Sequence, residues 1–508
     1  MRAPIIAATF LFPVMLFLLC YLNMREKTYL FNSNVNAIPK SASNSKRNLR
    51  LYEQRVSFFS DCGYKGQPSR WEDWTSIFKS TFEVQNTCVS NPSVIILESS
   101  GDTILYLLTA RLYWSWNLSI PCVSPDSEGG PWFEYWKGKG GLAMLVIRKS
   151  LEAADAPVEV LSSLLTTSDT EDARLFKDSQ GKIRMLYNRW HGGDESMRGF
   201  KRLQHRSMHV SEVVVDAAAA HQISIVNDQE IIYVYQGQDE KNWVPWEGTA
   251  LMTYPNYPLF APHTVLDWET YDMPQDQLSM KAVTPVPFME KFKKATGGWF
   301  RFSGGTPGIR LDENRFVAVG HSVGDLSCFH KEVKGARAVR KLVMDIPDST
   351  LKLTDSRFKL DAHSCNSTYK APEGHREWKH HFDTLGHHID GHHPYWEYFF
   401  FIYAWSAHYP YKITHISNSF IPHDALEHRG VYFPTGLQLI PQTDVDSAGQ
   451  KRSPGLLLTF GKDDNKAMSM KLGSDVLEEY LEHISTVDPQ AYKFCAVRVG
   501  AASIVTHV

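Results

Sequence analysis

Charge of one sign is scarce in this chain: 53 Lys and Arg against 56 Asp and Glu leave a net charge of −3 over 508 residues. Near neutrality excludes the basic field that nucleic acid requires and the acidic tail of a disordered chain. Helical periodicity is scarce too. Before Ser474–Ile484, SDVLEEYLEHI, hardly any stretch keeps an apolar repeat of helical spacing, which leaves the all-β classes. No exact internal repeat is visible, and no zinc-protease spacing of the HExxH kind occurs. Cysteines number only seven.

Against these absences stands one long apolar run. Ala3–Leu22, APIIAATFLFPVMLFLLCYL, carries no charge and has the ~20 residues a helix needs to cross a bilayer. Pro13 is tolerable in a spanning helix. The competing reading is a cleaved signal peptide, which ends in a small-x-small site. Cys20-Tyr21-Leu22-Asn23-Met24 offers none, so an uncleaved anchor is expected over 1–24. Cys20 lies in that segment. The other six, Cys62, Cys88, Cys122, Cys328, Cys365 and Cys495, form an even set, and Asn117-Leu118-Ser119 and Asn366-Ser367-Thr368 are glycosylation sequons. Together these predict a single-pass type II protein of the Golgi or endoplasmic reticulum membrane, its body lumenal.

Residues 25–57, polar and poor in structure signals, read as a stem, and 58–93, with Cys62 and Cys88, as a cap. From Val94 short β-rich runs alternate with Gly, Pro and Asp, as in SVIILESSGDTILYLLT, ARLFKDSQGKIRMLYN and YWEYFFFIYAWSAHYPYKITHIS. A sandwich, a barrel and a propeller all fit an all-β chain. The unequal spacing of these units suits four-stranded sheets with loop insertions, which points to a propeller over 94–472. Val94–Glu98 is the strand expected to complete the last sheet, and 473–508 is expected to hold a C-terminal helix and tail.

In a propeller the inner strands line a central funnel, so polar residues at strand entrances converge. Five stretches qualify: Glu171-Asp172-Ala173-Arg174, Glu240-Lys241-Asn242-Trp243, Gly304-Gly305-Thr306-Pro307, Gly320-His321-Ser322 and Gly461-Lys462-Asp463-Asp464. Taken singly, each also reads as a turn or bulge; their recurrence in successive units argues for a site.

TEDARLF around Asp172, EKNW with Lys241-Asn242, SGGTPGI, VGHSV and TFGKDDN resemble the ordered motifs of the five-bladed propellers that act on β-mannosides. That group comprises inverting β-mannoside phosphorylases and related β-1,2-mannosyltransferases. The resemblance covers roughly Val94 to Leu472. It departs from the usual Glu-Asp-Pro-Arg at one position, where Ala173 replaces proline. It implies a five-bladed propeller in which Asp172 is the general acid/base. Glu171, Arg174, Lys241, Asn242, Thr306, His321, Asp463 and Asp464 become substrate-binding candidates, and Asn188 and Arg189 join them at the start of a basic stretch, 188–209. Arg and Lys there, Arg206 included, are the donors a nucleotide-diphosphate group needs.

The seven histidines of 375–393 have the density, though not the spacing, of a zinc site, and Asp444-Val445-Asp446 lies in a polar loop and not after a Rossmann-type strand. No metal and no cofactor is expected. Trp243, Trp246, Trp299, Tyr395, Trp396 and Trp405 lie near the motifs, where aromatic faces stack on sugars or fill cores. The reading is an inverting glycosyltransferase that moves a sugar, mannose by the resemblance, from a nucleotide-diphosphate donor to a glycan acceptor. A phosphorylase or hydrolase on the same scaffold, and a glycan-binding propeller without activity, are the alternatives.

Overall fold

The computed structural model describes residues 71–84, 87–100, 103–114, 139–150, 158–166, 170–191, 205–233, 241–255, 262–268, 278–295, 300–325, 396–422, 432–440, 455–462, 465–473 and most of 477–497. The apolar run 3–22, the stem, both sequons, the histidine-rich stretch, Asp444 and Asp446 lie outside the described residues. Among the described residues no helix is long and apolar enough to cross a membrane.

β-Branched and aromatic runs separated by turn residues give antiparallel strands throughout. Strand β1 (Glu72–Asp73) and helix α1 (Thr75–Thr81) precede a four-stranded meander of β2 (Cys88–Ser100), β3 (Thr103–Trp114), β4 (Lys139–Ser150) and β5 (Glu159–Leu165). The second sheet comprises β6 (Thr170–Lys177), β7 (Ile183–His191), β8 (His205–Asp216) and β9 (Gln222–Ile231). The third comprises β10 (Val244–Pro245), β11 (Leu251–Tyr254), β12 (His263–Asp267) and β13 (Ser279–Thr284). Helix α2 (Pro287–Ala295) leads to the fourth sheet, built on β14 (Phe300–Ser303), β15 (Ile309–Arg310), β16 (Arg315–Asp325), β17 (Trp396–Ser406), β18 (Ile413–Ile416) and β19 (Ser419–Pro422). The fifth has β20 (Tyr432–Ile440), β21 (Gly455–Lys462) and β22 (Lys466–Leu472), with β1 at its edge. Late strands β23 (Glu482–His483) and β24 (Phe494–Val497) return to the fourth sheet, making it eight-stranded.

Burial grades outward across a sheet. Every residue of β6 up to Phe176 is buried, whereas β9 exposes most of its length. This is the pattern of an inner strand enclosed by neighbours and an outer strand facing water. Apolar side chains fill each gap between sheets in turn. Ile95 and Leu107 meet Leu175 and Met185 between the first and second sheets, and Phe176 and Met208 meet Trp243 and Leu266 between the second and third. Val244, Val317 and Leu458 belong to one core spanning the third, fourth and fifth sheets. Val89 and Ile104 then pack with Leu457 and Ala467, returning from the fifth sheet to the first. The chain is all-β with a propeller-like ring of sheets.

Three expectations change. Ring closure falls to β1, not to Val94–Glu98. Glu72 pairs with Ser469 and Asp73 with Met468, and the Ala467 amide donates to Thr75 Oγ1 at 2.9 Å. Val94 and Ile95 are fully buried in β2, which suits an inner strand, whereas polar Glu72 and Asp73 suit an edge. The segment read as a cap, 58–93, therefore contributes the closing strand and the start of the first sheet. Finally, the helix expected over Ser474–Ile484 stops short, because Glu482 and His483 pair with Ile416 and His415.

A buried histidine ties the third sheet to the fourth. His263 Nδ1 bonds the Tyr411 carbonyl at 2.9 Å, so it carries the proton, and Nε2 accepts from Thr253 Oγ1 at 3.0 Å. Trp246 Nε1 in turn donates to Thr253 Oγ1. Burial pulls the imidazole down to about 4, with the Tyr411 carbonyl opposing. The unfolded chain takes up this proton near 6.5, so His263's contribution is complete above that pH. It is lost as pH falls toward 4, by up to roughly 3 kcal/mol. Melting temperature is therefore expected to drop between pH 6.5 and 4, and His263→Gln to flatten that drop; a wild-type profile level across this window would refute it.

Candidate active site

The five stretches picked out by sequence fall in four sheets, because Gly304-Gly305-Thr306 and Gly320-His321-Ser322 both belong to the fourth. The first sheet is the missing contributor. It supplies Asn91, Arg111 and Tyr113 to a buried cluster centred on β6.

Two carboxylates sit at the entrance of β6, and the backbone separates their roles. The register of β6 against β7 shifts between Glu171 and Arg174, a bulge that re-aims the side chain it carries. Asp172 has a φ of 53°, in the left-handed region that Asp and Asn tolerate best among side-chain-bearing residues. Asn91 (φ 50°) and Asn242 (φ 63°) share that conformation. Three such backbones in one cluster mark a constrained site.

Glu171 is saturated. Oε1 accepts from Arg111 and from the Tyr113 hydroxyl at 3.2 Å, and Oε2 meets Asn188 Nδ2 at 3.3 Å and Arg206 Nε at 3.4 Å. Asp172 is held by one oxygen only. Its Oδ1 accepts from Asn91 Nδ2 at 2.7 Å and lies 3.4 Å from Arg111, while Oδ2 has no hydrogen bond or ion pair among the described residues. A tenth of that side chain remains open to solvent. One carboxylate is thus held through both oxygens and the other through one.

Arg174 is a strut of the fold. It is fully buried; Nε donates to the Gly305 carbonyl, one terminal nitrogen to the Asp172 carbonyl at 2.9 Å, and the other to Asn242 Oδ1 at 3.2 Å. Burial lowers it to about 10, opposed by Asp172 and Tyr403, so it stays cationic at neutral pH. Asn242 passes the linkage to Ser303 Oγ at 3.0 Å. Thr306 is also buried, and its hydroxyl donates to the Pro307 carbonyl and accepts from the Val319 amide.

The remaining candidates divide. His321 is buried near the cluster, stacked with Tyr398 and 4.7 Å between ring centres from Phe433, whose ring also faces Arg174. Lys241 is half-buried beside Asn242. Asn188 is buried against Glu171. Arg189 points elsewhere, to Asp228 at 3.0 Å and the Tyr187 hydroxyl at 3.3 Å. Asp463, Asp464 and residues 192–204 lie outside the described residues. Trp243, Trp246 and Trp405 are fully buried and fill the core.

The motif glycines have a steric reason. A Cβ on Gly304 would run into the Asn242 carbonyl, one on Gly305 into the Val319 carbonyl, and one on Gly461 into Asn91 Oδ1. Each allows a backbone to close on the residues that hold Asp172. Arg111 had a sequence signal that went unread: it is a lone charge inside the apolar run TILYLLTARLYW. Asn91 similarly interrupts a buried strand. Among the described residues no group of three His, Cys, Asp or Glu side chains is placed to hold a metal ion.

No family model matches the chain, and no curated protein matches its sequence. Among solved structures, a glycoside hydrolase is similar at 10% identity over 84% of this chain and 94% of its own, with a TM-score of 0.31. A thermostable family-43 glycoside hydrolase gives 13% identity over 46% and 84%, with a TM-score of 0.23. A Trypanosoma rangeli sialidase bound to the inhibitor DANA gives 9% over 77% and 56%, with a TM-score of 0.28. With likenesses this faint, the ring rests on the sheet order and core packing described above.

Proposed function

We propose that the protein is an inverting glycosyltransferase in which Asp172 is the general base on a five-bladed propeller. The carrying observation is the contrast within one dipeptide: Asp172 Oδ2 has no hydrogen bond or ion pair among the described residues, while Glu171 accepts from Arg111, Tyr113 and Asn188 and pairs with Arg206. Inversion at a sugar carbon needs one base on the acceptor side. The acceptor hydroxyl attacks C1, its proton passes to Asp172 Oδ2, and the bond to the diphosphate breaks with the electron pair leaving on oxygen. Arg111, Arg174 and Arg206 outnumber Glu171 and Asp172 by one charge, so the cluster is net cationic, as an anionic leaving group requires. The resemblance to β-mannoside-active propellers supports mannose as the sugar. An anchor over 1–24, with a Golgi or endoplasmic reticulum lumenal body, suits an enzyme that extends glycans.

A hydrolase would need a second carboxylate to activate water, ~6.5–9.5 Å from the acid. Glu171 is too fully bonded for that duty. The rival persists through Asp463 and Asp464, which follow Gly461, the residue packed on Asn91. A phosphorylase would use the same cationic cluster for inorganic phosphate.

Incubation of the purified protein with nucleotide-diphosphate sugars and β-mannoside acceptors should release nucleoside diphosphate only when acceptor is present. Sugar phosphate formed from glycan and phosphate would replace the transferase reading with the phosphorylase. Chelation by EDTA should leave most activity, and a loss that Mn²⁺ or Zn²⁺ restores would bring the histidine-rich stretch or Asp444 and Asp446 into the chemistry.

Asp172→Asn should lower turnover by about 10²–10⁴-fold, the usual worth of acid–base assistance, with little change in melting temperature. Glu171→Gln should behave oppositely in stability, because it leaves Arg206 buried without its counter-charge and Arg111 with Asp172 alone. A loss on the order of 3–5 kcal/mol is expected. An Asp172→Asn protein with full turnover, or one that melts as early as Glu171→Gln, would remove Asp172 from the chemistry.

A further inference from the structure

The ring carries a cavity away from the carboxylate pair. Strand β6 starts at the carboxylate pair and ends at Lys177, about five residues and roughly 15 Å further along. There a cavity of about 570 Å³ is bordered by a residue from every sheet: Ile96, Lys177, Glu247, Arg310 and Gln438 in order of sheet. Its size lies within the ~300–1,000 Å³ of small-molecule sites.

Its lining has a specific chemistry. Lys177 Nζ gives one long hydrogen bond, 3.4 Å, to the Ile96 carbonyl and retains further N–H donors. Arg310 lies over the Phe316 ring at 5.2 Å, with its guanidinium exposed at the rim. Neither cation has a carboxylate ion pair among the described residues. Glu247 is the one acid in the lining, hydrogen-bonded to the Gln438 amide. Gln438 Nε2 also donates to the Leu437 carbonyl at 2.9 Å, which orients that amide.

We propose that this cavity is a binding site for a small multivalent oxyanion, a sulfate- or phosphate-type group, held between Lys177 and Arg310 and taken up together with a proton on Glu247. Two cations border one open cavity, and among its lining residues the obstacle to an anion is a carboxylate that can be neutralised. Burial holds the Glu247 carboxyl above its ordinary range, while Lys177 and Gln438 pull it back. Lys177 from β6 and Arg310 from β15 are the charged groups lining the cavity with it; Ile96, Gly248, Gln438 and Leu439 do not titrate. An arriving anion and the Glu247 charge repel, so each favours loss of the other, and affinity rises as pH falls. The site is separate from the Asp172 cluster and does not depend on its reading.

Sulfate is the probe, since it stays dianionic between pH 5.5 and 7.5. Calorimetry on the full chain, at constant ionic strength in chloride, should show sulfate binding that tightens several-fold from pH 7.5 to 5.5. Galactose 6-sulfate forms a second arm, and tighter binding than sulfate would assign the group to a small-molecule carrier, whereas equal or weaker binding would assign it to the free ion. Arg310→Met, an exposed position without risk to folding, should weaken binding about tenfold, and Lys177→Met at least as much, as expected for loss of a charge-assisted bond. Glu247→Gln should bind more tightly than the wild type at pH 7.5 and lose most of the pH dependence. Asp172→Asn should leave sulfate affinity unchanged. Absence of binding by the wild type, or binding indifferent to both Arg310→Met and Lys177→Met, overturns the proposal.

Discussion

A guanidinium fully removed from water has to be solvated by protein, and Arg174 meets that demand from three directions. Its donors reach the Asp172 carbonyl on its own strand, Asn242 ahead of the third sheet and the Gly305 carbonyl of the fourth. Any slippage of one sheet against the others would strand at least one of these bonds in an apolar setting. The same contact that fixes the relative position of three sheets also grips the backbone of Asp172. Architecture and candidate chemistry are therefore one constraint. A change that loosens the ring here would also move the carboxylate.

Around that strut the other sheets are drawn in by close approach, not by reach of long side chains. Gly304 and Gly305 let the fourth sheet touch the third and fifth, and Gly461 lets the fifth touch Asn91 of the first. The polar groups so gathered are paired in part: Asn91, Arg111 and Asn188 each hold one carboxylate or the other, yet Asn91 Oδ1, Arg111 Nε and Asn188 Oδ1 have no hydrogen-bond partner among the described residues.

How much of this was legible in the chain depends on range. The central strands of the sheets were plain, because runs such as WEYFFFIYAWS, β17 in the middle of the fourth sheet, are almost wholly apolar. Asp172 and Asn242 were visible through motifs that cluster within a few residues. Arg111 and Asn91 were not, since their meaning comes from partners 60 and 81 residues away. The burial of Arg174 and Thr306 was not legible either, because polarity at a strand entrance says nothing about which way burial will fall. At the C-terminal end Leu477, Tyr480 and Leu481 do bury one helical face. The pattern predicted a longer helix because pairing of Glu482 and His483 with the fourth sheet is a tertiary effect that local periodicity cannot carry.

Closure by β1 has a consequence for how the molecule is made. The strand that completes the last sheet lies near the front of the ring's sequence, and its partner β22 near the back. On a ribosome β1 emerges about 400 residues before the strand it must pair with, a delay of roughly 20–80 s at typical synthesis rates. During that interval the first sheet's outward core, Val89 and Ile104 among it, lacks the Leu457 and Ala467 that later cover it. The nascent protein is thus an open arc with one sticky end until its last sheet is released. A cell that makes it must shield that end, and the ring then shuts in a single late step.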